Sequence, residues 1–254
     1  MGEALLMNRS QEWKPEYTYT NGTCTYTDEG NGNWNIKFLT SGTGGGKLTF
    51  IQPNSARRGI DIFLVGGGGG GANSYDITNY GARAGGGGGY TATYTNVKIT
   101  RRTEYTIIIG AGGAKADRNS SGSGNAKGAD GGQTSAFNKT VNGGKGGWAE
   151  YGNDWRATGG NGGSGGAAHS QQYPSQWTQV GGTNGGNGEG YTSRATGGTG
   201  QGNPPGTKEF GNGTTVYSQG GGKGTSTIAN TGNGGNYNAN GSSGIVIIRN
   251  TRSG

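Results

Sequence analysis

Apolar positions in this chain follow two patterns. Three short runs are continuous and β-branched: "IDIFLVG" (Ile60 to Gly66), "EYTIIIG" (Glu104 to Gly110) and "GIVIIR" (Gly244 to Arg249). Runs of that length bounded by turn residues predict buried strands. Other segments alternate: "EYTYTNGTCTYT" (Glu16 to Thr27), "NWNIKFLT" (Asn33 to Thr40), "KLTF" (Lys47 to Phe50) and "YTATYTNVKI" (Tyr90 to Ile99). Alternation predicts strands with one wet face. The "NG" inside Glu16 to Thr27 predicts a hairpin there, and the acidic Asp28-Glu29 opens a second turn, "DEGNGN". Helical periodicity is confined to a weak candidate at Gly2 to Asn8.

Between these strands the hydrophobic pattern vanishes and a glycine pattern replaces it. "TGGNGGSGGA" (Thr158 to Ala167) repeats glycine pairs with a period of three, as do "GGKGG", "GGNGEG", "GGTGQG" and "GNGGN". A polyproline II-type helix has ~3 residues per turn and makes no internal hydrogen bonds. On it, this text leaves two faces bare, so neighbouring backbones can approach and satisfy one another's amides. The closing Ile245 to Ile248 run pins the glycine text at its far end, which a free tail would not need. The expected fold is mostly β plus irregular: a β-sandwich or sheet stapling a bundle of polyglycine II (PPII-like) helices with end loops, and essentially no α-helix. The expected divisions are an N-terminal docking segment at 1–15, a β-rich part at 16–58, the glycine-rich domain at 59–250 and a tail at 251–254.

Composition sharpens this reading. Of 254 residues, 63 are Gly and 5 are Pro, and only 27% are apolar. Such a chain lacks the apolar area to offset its ordering entropy by burial alone. It also lacks the proline and strict triplet of collagen. The net charge of +7 favours acidic partners. The basic residues are scattered, so no stretch reads as a nucleic-acid arm. The single cysteine, Cys24, excludes an internal disulfide and a Cys-based zinc site. No span is long enough to cross a membrane as a helix, and no signal peptide is evident at the start.

Candidate chemistry is sparse. "VGGGGGGA" satisfies a dinucleotide-binding pattern only trivially, because the helix that must follow is missing. "GTGGGKL" (Gly42 to Leu48) and "GGGKGT" (Gly220 to Thr225) mimic a phosphate loop but place Leu48 and Gly224 where a Mg²⁺-binding hydroxyl belongs. The one histidine, His169, has neither a nucleophile turn nor a metal-binding companion. No enzyme, catalytic residue, cofactor or metal is expected.

The remaining large polar and aromatic residues gather between the glycine runs. Four segments hold them: "NSYDITNYGAR", "WAEYGNDWR", "HSQQYPSQWTQ" and "GYTSR". Rigid aromatics with adaptable polar groups characterise recognition loops. The candidate receptor-binding residues are Tyr75, Tyr80, Arg83, Trp148, Tyr151, Trp155, Arg156, His169, Tyr173, Trp177, Tyr191 and Arg194, with His169 expected in an exposed loop.

Taken in order, "WNIKFLTSGT", "IDIFLVGGGGGGA", "YTIIIGAGG", "VNGGKGG", "ANTGNGG" and "GSSGIVIIR" resemble the glycine-rich domain of bacteriophage and prophage tail proteins. The resemblance covers roughly Tyr17 to Arg249. It extends in kind to the glycine-rich tips of long tail fibres and to the glycine-rich extracellular domain of anaplastic lymphoma kinase. It implies a sandwich of polyglycine helices whose end loops touch a host surface. The expected role is a virion protein, made in a bacterial cytoplasm and exposed on the particle. It would be a tail fibre or tip receptor-binding adhesin for host attachment, or a non-adhesive head or tail decoration protein. Its expected partners are other virion proteins and a cell-surface glycan or protein, with no nucleic acid. The chain is expected in many copies or as an oligomer.

Overall fold

The computed structural model describes residues 14–53, 59–75, 81–118, 124–150, 157–170, 190–191, 208–211, 213–222 and 227–250. Among them the chain is mostly β-strand, without an α-helix. The candidate helix at Gly2 to Asn8 lies outside the described residues.

Two sheets face each other at the base. One runs β2 (Gly22–Gly30), β3 (Asn33–Ser41), β18 (Ile245–Asn250), β5 (Ile60–Val65) and β8 (Thr91–Val97) in spatial order, every neighbour antiparallel. The other runs β1 (Glu16–Thr20), β4 (Gly46–Gln52), β9 (Glu104–Ile108), β12 (Thr134–Ala136) and β13 (Lys139–Val141), again antiparallel. Both sheets combine strands from before and after residue 59. Trp34, Ile36 and Phe38 of β3, Leu48 and Phe50 of β4, Ile62 and Leu64 of β5, and Val246 and Ile248 of β18 fill the space between them.

Two of the three continuous apolar runs, β5 and β18, are explained by a second layer. The third, β9, was expected to be buried but buries Ile107 and leaves Ile108 42% exposed, because no layer covers its outer face among the described residues. Ile245 and Ile247 of β18 point away from that core, as do Phe63 and Val65 of β5. They are buried instead with Tyr217, under a cover formed by residues 208–211 and 213–217. The Phe63 and Tyr217 rings meet edge-on at 5.3 Å. The cover is anchored where Glu209 accepts from Lys37 Nζ at 3.0 Å and from the Tyr217 hydroxyl at 2.9 Å. A strand dry on both faces has no reason to alternate.

The hairpin expected within Glu16 to Thr27 does not form. Asn21, at φ 56°, turns the chain out of one sheet and into the other. β1 pairs with β4 while β2 pairs with β3. Asn tolerates the left-handed region, and here its side-chain amide also donates to the carbonyls of Thr43 and Gly45. Those long-range bonds win over local strand pairing. The next turn is a hairpin as expected: Asn31 sits at φ 53° between β2 and β3, and Asp28 Oδ1 accepts from the Gly30 amide.

Glycine runs carry the chain from the base to a second, smaller β region. Residues 66–71 lead from β5 to β6 (Ala72–Tyr75), and 85–90 lead back from β7 (Gly81–Ala84) to β8. Similar runs join β9 to β10 (Ala116–Arg118), β11 (Ala126–Lys127) to β12, and β13 to β14 (Trp148–Ala149). Side by side, these runs bond through their backbones with a strict period. Gly66 and Gly69 donate to the 85–90 run, at Tyr90 and Gly87. Gly67 and Gly70 donate to Gly132 and Ala129, and Gly68 and Gly71 to Ser242 and Ala239. The 85–90 run repeats the scheme toward residues 164–167, 232–235 and 142–145. Every third amide therefore addresses the same neighbour, and each of these two runs donates to three others while its carbonyls accept from further ones.

This packing requires glycine for want of space. A Cβ on Gly69 would come within 3.0 Å of backbone atoms of Lys145 and Gly146, and one on Gly86 within 3.0 Å of Gly69 and Gly70. Backbone cannot rotate away as a side chain can.

Three phenols in the base and its cover resist ionisation. Burial, then the neighbouring Cys24 thiol, pushes Tyr19 up to about 12. Burial likewise raises Tyr17, and burial followed by the Glu209 carboxylate raises Tyr217. An unfolded Tyr titrates near ~10. The stability contributed by these neutral phenols is thus fully present below about pH 10. It is lost as pH rises toward the folded value of about 12 for Tyr19. Urea midpoints should stay level from about pH 8 to 10 and fall above it, and Tyr19→Phe should make the fall shallower.

Candidate functional site

The far end of the glycine runs is capped by two small sheets. One has the order β10, β6, β7, β16 (Ala168–Ser170) and β17 (Gly190–Tyr191); the other is β11, β14 and β15 (Ala157–Thr158). They pack through alanine: Ala72, Ala82, Ala84 and Ala168 from the first meet Ala126, Ala149 and Ala157 from the second. Alanine keeps the two sheets thin enough to sit on the closely spaced glycine runs.

With alanine inward, the alternate residues turn to the opposite face. Across the larger sheet the register aligns Asp117 with Asn73, Asn73 with Arg83, Arg83 with His169, and His169 with Tyr191. One polar row therefore crosses β10, β6, β7 and β16, with Tyr191 at the matching register position of β17. Asn73 Nδ2 donates to Asp117 Oδ1 at 3.1 Å, and both Asn73 and His169 are only 5% exposed. The Tyr237 ring lies beside His169, 6.2 Å between centroids. Burial pulls the Arg83 pKa below its ordinary value, against the opposing pull of Tyr237. Arg83 stays charged nonetheless, so the row presents a fixed cation beside a carboxylate, an amide and an imidazole. Asp117 stands three strands from His169, about 14 Å at the usual strand spacing, so the two do not act as a pair. Among the described residues no three His, Cys, Asp or Glu side chains are grouped to hold a metal ion.

Arg83 and His169 were expected in loops, and the structure corrects this. Both lie in strands, and His169 is buried. The reason is the A-H alternation in "AAHS": burying Ala168 against the alanine layer forces His169 to the face beneath Tyr237. Tyr75 and Tyr191 also occupy strand positions, in β6 and β17. Trp148 is half-buried in β14, and sits in a separate row between Lys127 and Thr158 on the outer face of the smaller sheet. It joins no cluster with the Arg83 row. Tyr80, Tyr151, Trp155, Arg156, Tyr173, Trp177 and Arg194 lie outside the described residues.

Strand direction groups the places where those segments attach. β6 runs away from the base, and β10 is parallel to it. β16 is antiparallel to β7 and parallel to β17. The chain therefore leaves Tyr75, Arg118, Ser170 and Tyr191 at one end, and β14 and β15 join there too. Segments 76–80, 119–123, 151–156, 171–189 and 192–207 all start from that end.

Asn73, Asp117 and Tyr237 were not among the expected residues. A signal for the first two was present: "ANS", "ADR", "ARA" and "AHS" each place a polar residue after an alanine beside a glycine run. Tyr237 had none, since it is brought in by the return of residues 232–241.

Neither "GTGGGKL" nor "VGGGGGGA" leads into a helix; each enters a strand, β4 and β6 respectively. Lys47 is engaged with Glu104 at 3.4 Å and Thr106 at 2.9 Å.

Residues 40–251 match the sequence profile of a family described as a glycine-rich domain. No curated protein matches the chain.

Proposed function

This chain belongs to the glycine-rich domain family, and from that premise we propose that it is a scaffold of polyglycine II helices that displays recognition segments at one end. The observation that carries this reading is the threefold rotation of amide donors along residues 66–71 and 85–90. A polyglycine helix with ~3 residues per turn directs successive amides about 120° apart. At ~3.1 Å per residue, the six residues 66–71 span about 19 Å. A pedestal cross-linked on all sides fixes the strand ends from which those segments start, and a fixed attachment lowers the entropy lost on binding.

On this reading the protein is a bacteriophage virion component, a tail fibre or tip adhesin that contacts a host cell-surface glycan or protein. Trp155, Tyr173 and Trp177 belong to segments rooted at the distal end, and Tyr75, Arg83, His169 and Tyr191 form part of the platform below. Weak single sites gain avidity when many copies share a particle. The net charge of +7 favours the anionic envelopes of bacteria.

Labelled protein added to a panel of bacterial strains tests this directly. Trp155→Ala and Trp177→Ala should each weaken adsorption about tenfold or more, as expected for aromatic anchors. Undiminished adsorption by both variants would remove the distal segments from the receptor site.

A decoration or fibre-body role is the second reading. Ile228 and Val216, 64% and 37% exposed, favour it as contacts for neighbouring virion subunits. Antibody labelling of intact particles separates the two: distal segments inaccessible on the particle support the decoration role.

A further inference from the structure

Among the described residues, the cover formed by 208–211 and 213–217 leaves part of the outer face of the β2–β3–β18–β5 sheet open. Where it meets the row containing Asn35 and Arg249, a cleft of about 330 Å³ remains. Its predominantly polar wall includes Glu29, Asn35, Glu209, Thr214 and Arg249, with Phe210 as an apolar side. Pockets for small ligands begin at about this size.

Asn35 is 9% exposed. Its Nδ2 donates to Glu29 Oε1 at 2.6 Å, which fixes the orientation of the amide. The Oδ1 on the other side is buried and has no hydrogen-bond partner among the described residues. A buried acceptor of that kind calls for a donor.

The surrounding charges select the donor's chemistry. Glu209 is paired with Lys37 at 3.0 Å, and Arg249 Nε with Asp61 Oδ2 at 3.1 Å. The Arg249 guanidinium also lies over the Phe210 ring, 4.1 Å from its centroid. A free anion would meet the Glu29 carboxylate, and a metal ion would meet the Arg249 guanidinium. Neither net charge is favoured. What the wall offers is a set of fixed acceptors at Glu29 and Asn35, a donor at Arg249, a hydroxyl at Thr214 and an apolar ring edge. That combination suits a small neutral molecule bearing several hydroxyls on a compact carbon frame.

We propose that this cleft binds one neutral hexose unit of a glycan. The site is built from residues of the base and its cover, none of them among the recognition candidates, so it does not depend on the adhesin reading and survives that reading's failure.

Amide NMR of the full chain, titrated separately with D-glucose, D-galactose, D-mannose, N-acetyl-D-glucosamine and calcium chloride, tests the assignment. At least one sugar should produce saturable shifts at Asn35, Thr214 and Arg249, with a Kd of about 1–10 mM. Asn35→Ala removes the orphan acceptor, and Thr214→Val alters only an exposed position. Each should weaken that sugar about fivefold or more, with an unchanged urea midpoint for Thr214→Val showing that the fold is intact. The proposal is overturned if no sugar saturates by roughly 100 mM, if both variants bind as tightly as the parent, or if calcium alone perturbs the cleft.

Discussion

Replacing Gly86 with alanine is expected to cost about 3 kcal/mol, the upper end of the usual penalty for overpacking. The added methyl group would meet the Gly69 carbonyl and the Gly70 oxygen closer than 3.0 Å. Gly86 is held on two further sides, since its amide donates to Gly235 and its carbonyl accepts from Gly221. Relief requires moving a whole run, and each run is bonded to its neighbours. Alanine's smaller entropy loss on folding, worth about 0.4–1 kcal/mol, acts the other way but is too small to rescue the variant. Gly124 is the matched control: a Cβ there meets nothing within 4 Å, so Gly124→Ala should change stability by less than about 1 kcal/mol. Urea unfolding of the two variants beside the parent decides the matter. Equal midpoints for Gly86→Ala and the parent would mean that the glycine runs are not in close contact.

Ile248→Ala should be as damaging, at about 2–5 kcal/mol. The side chain is fully buried among the base-sheet core residues, and β18 lies between β3 and β5 with partners on both sides. The glycine runs carry almost no apolar surface of their own, and ordering glycine is entropically expensive. Their order is therefore borrowed from the base. Amide exchange in residues 128–147 should accelerate by the same factor as global unfolding in this variant. Ile228→Ala, at a side chain 64% exposed, should leave both quantities within about 0.5 kcal/mol. If Ile248→Ala melts the base while the glycine amides keep their protection, the two regions fold separately.

The strands at Ile60–Val65 and Ile245–Asn250 were legible because a doubly buried strand writes its burial into every residue. The period-three text was legible for a related reason: each position in a glycine run has a fixed neighbour. The break at Asn21 was hidden because "NG" favours a tight hairpin locally, and the competing bonds to Thr43 and Gly45 come from far along the chain. The distal strands were hidden by their brevity. Three residues such as Ala168–Ser170 carry no periodicity, so the segment read as loop and His169 as exposed. The polar row spanning Asp117, Asn73, Arg83 and His169 could emerge only from register, which short strands inherit from the glycine runs that position them.

That inheritance has a consequence for how the protein changes length. Removing one residue from the 66–71 run would turn each later amide toward the wrong neighbour, exchanging the partner at Gly132 for that at Ser242 or Gly87. Removing three would restore every address and only shorten the column. Insertions and deletions in the columns are thereby counted in triplets of amino acids, whereas the segments at the distal end can grow or shrink one residue at a time. Lineages of this scaffold should show size variation quantised in the shaft and continuous at the tip.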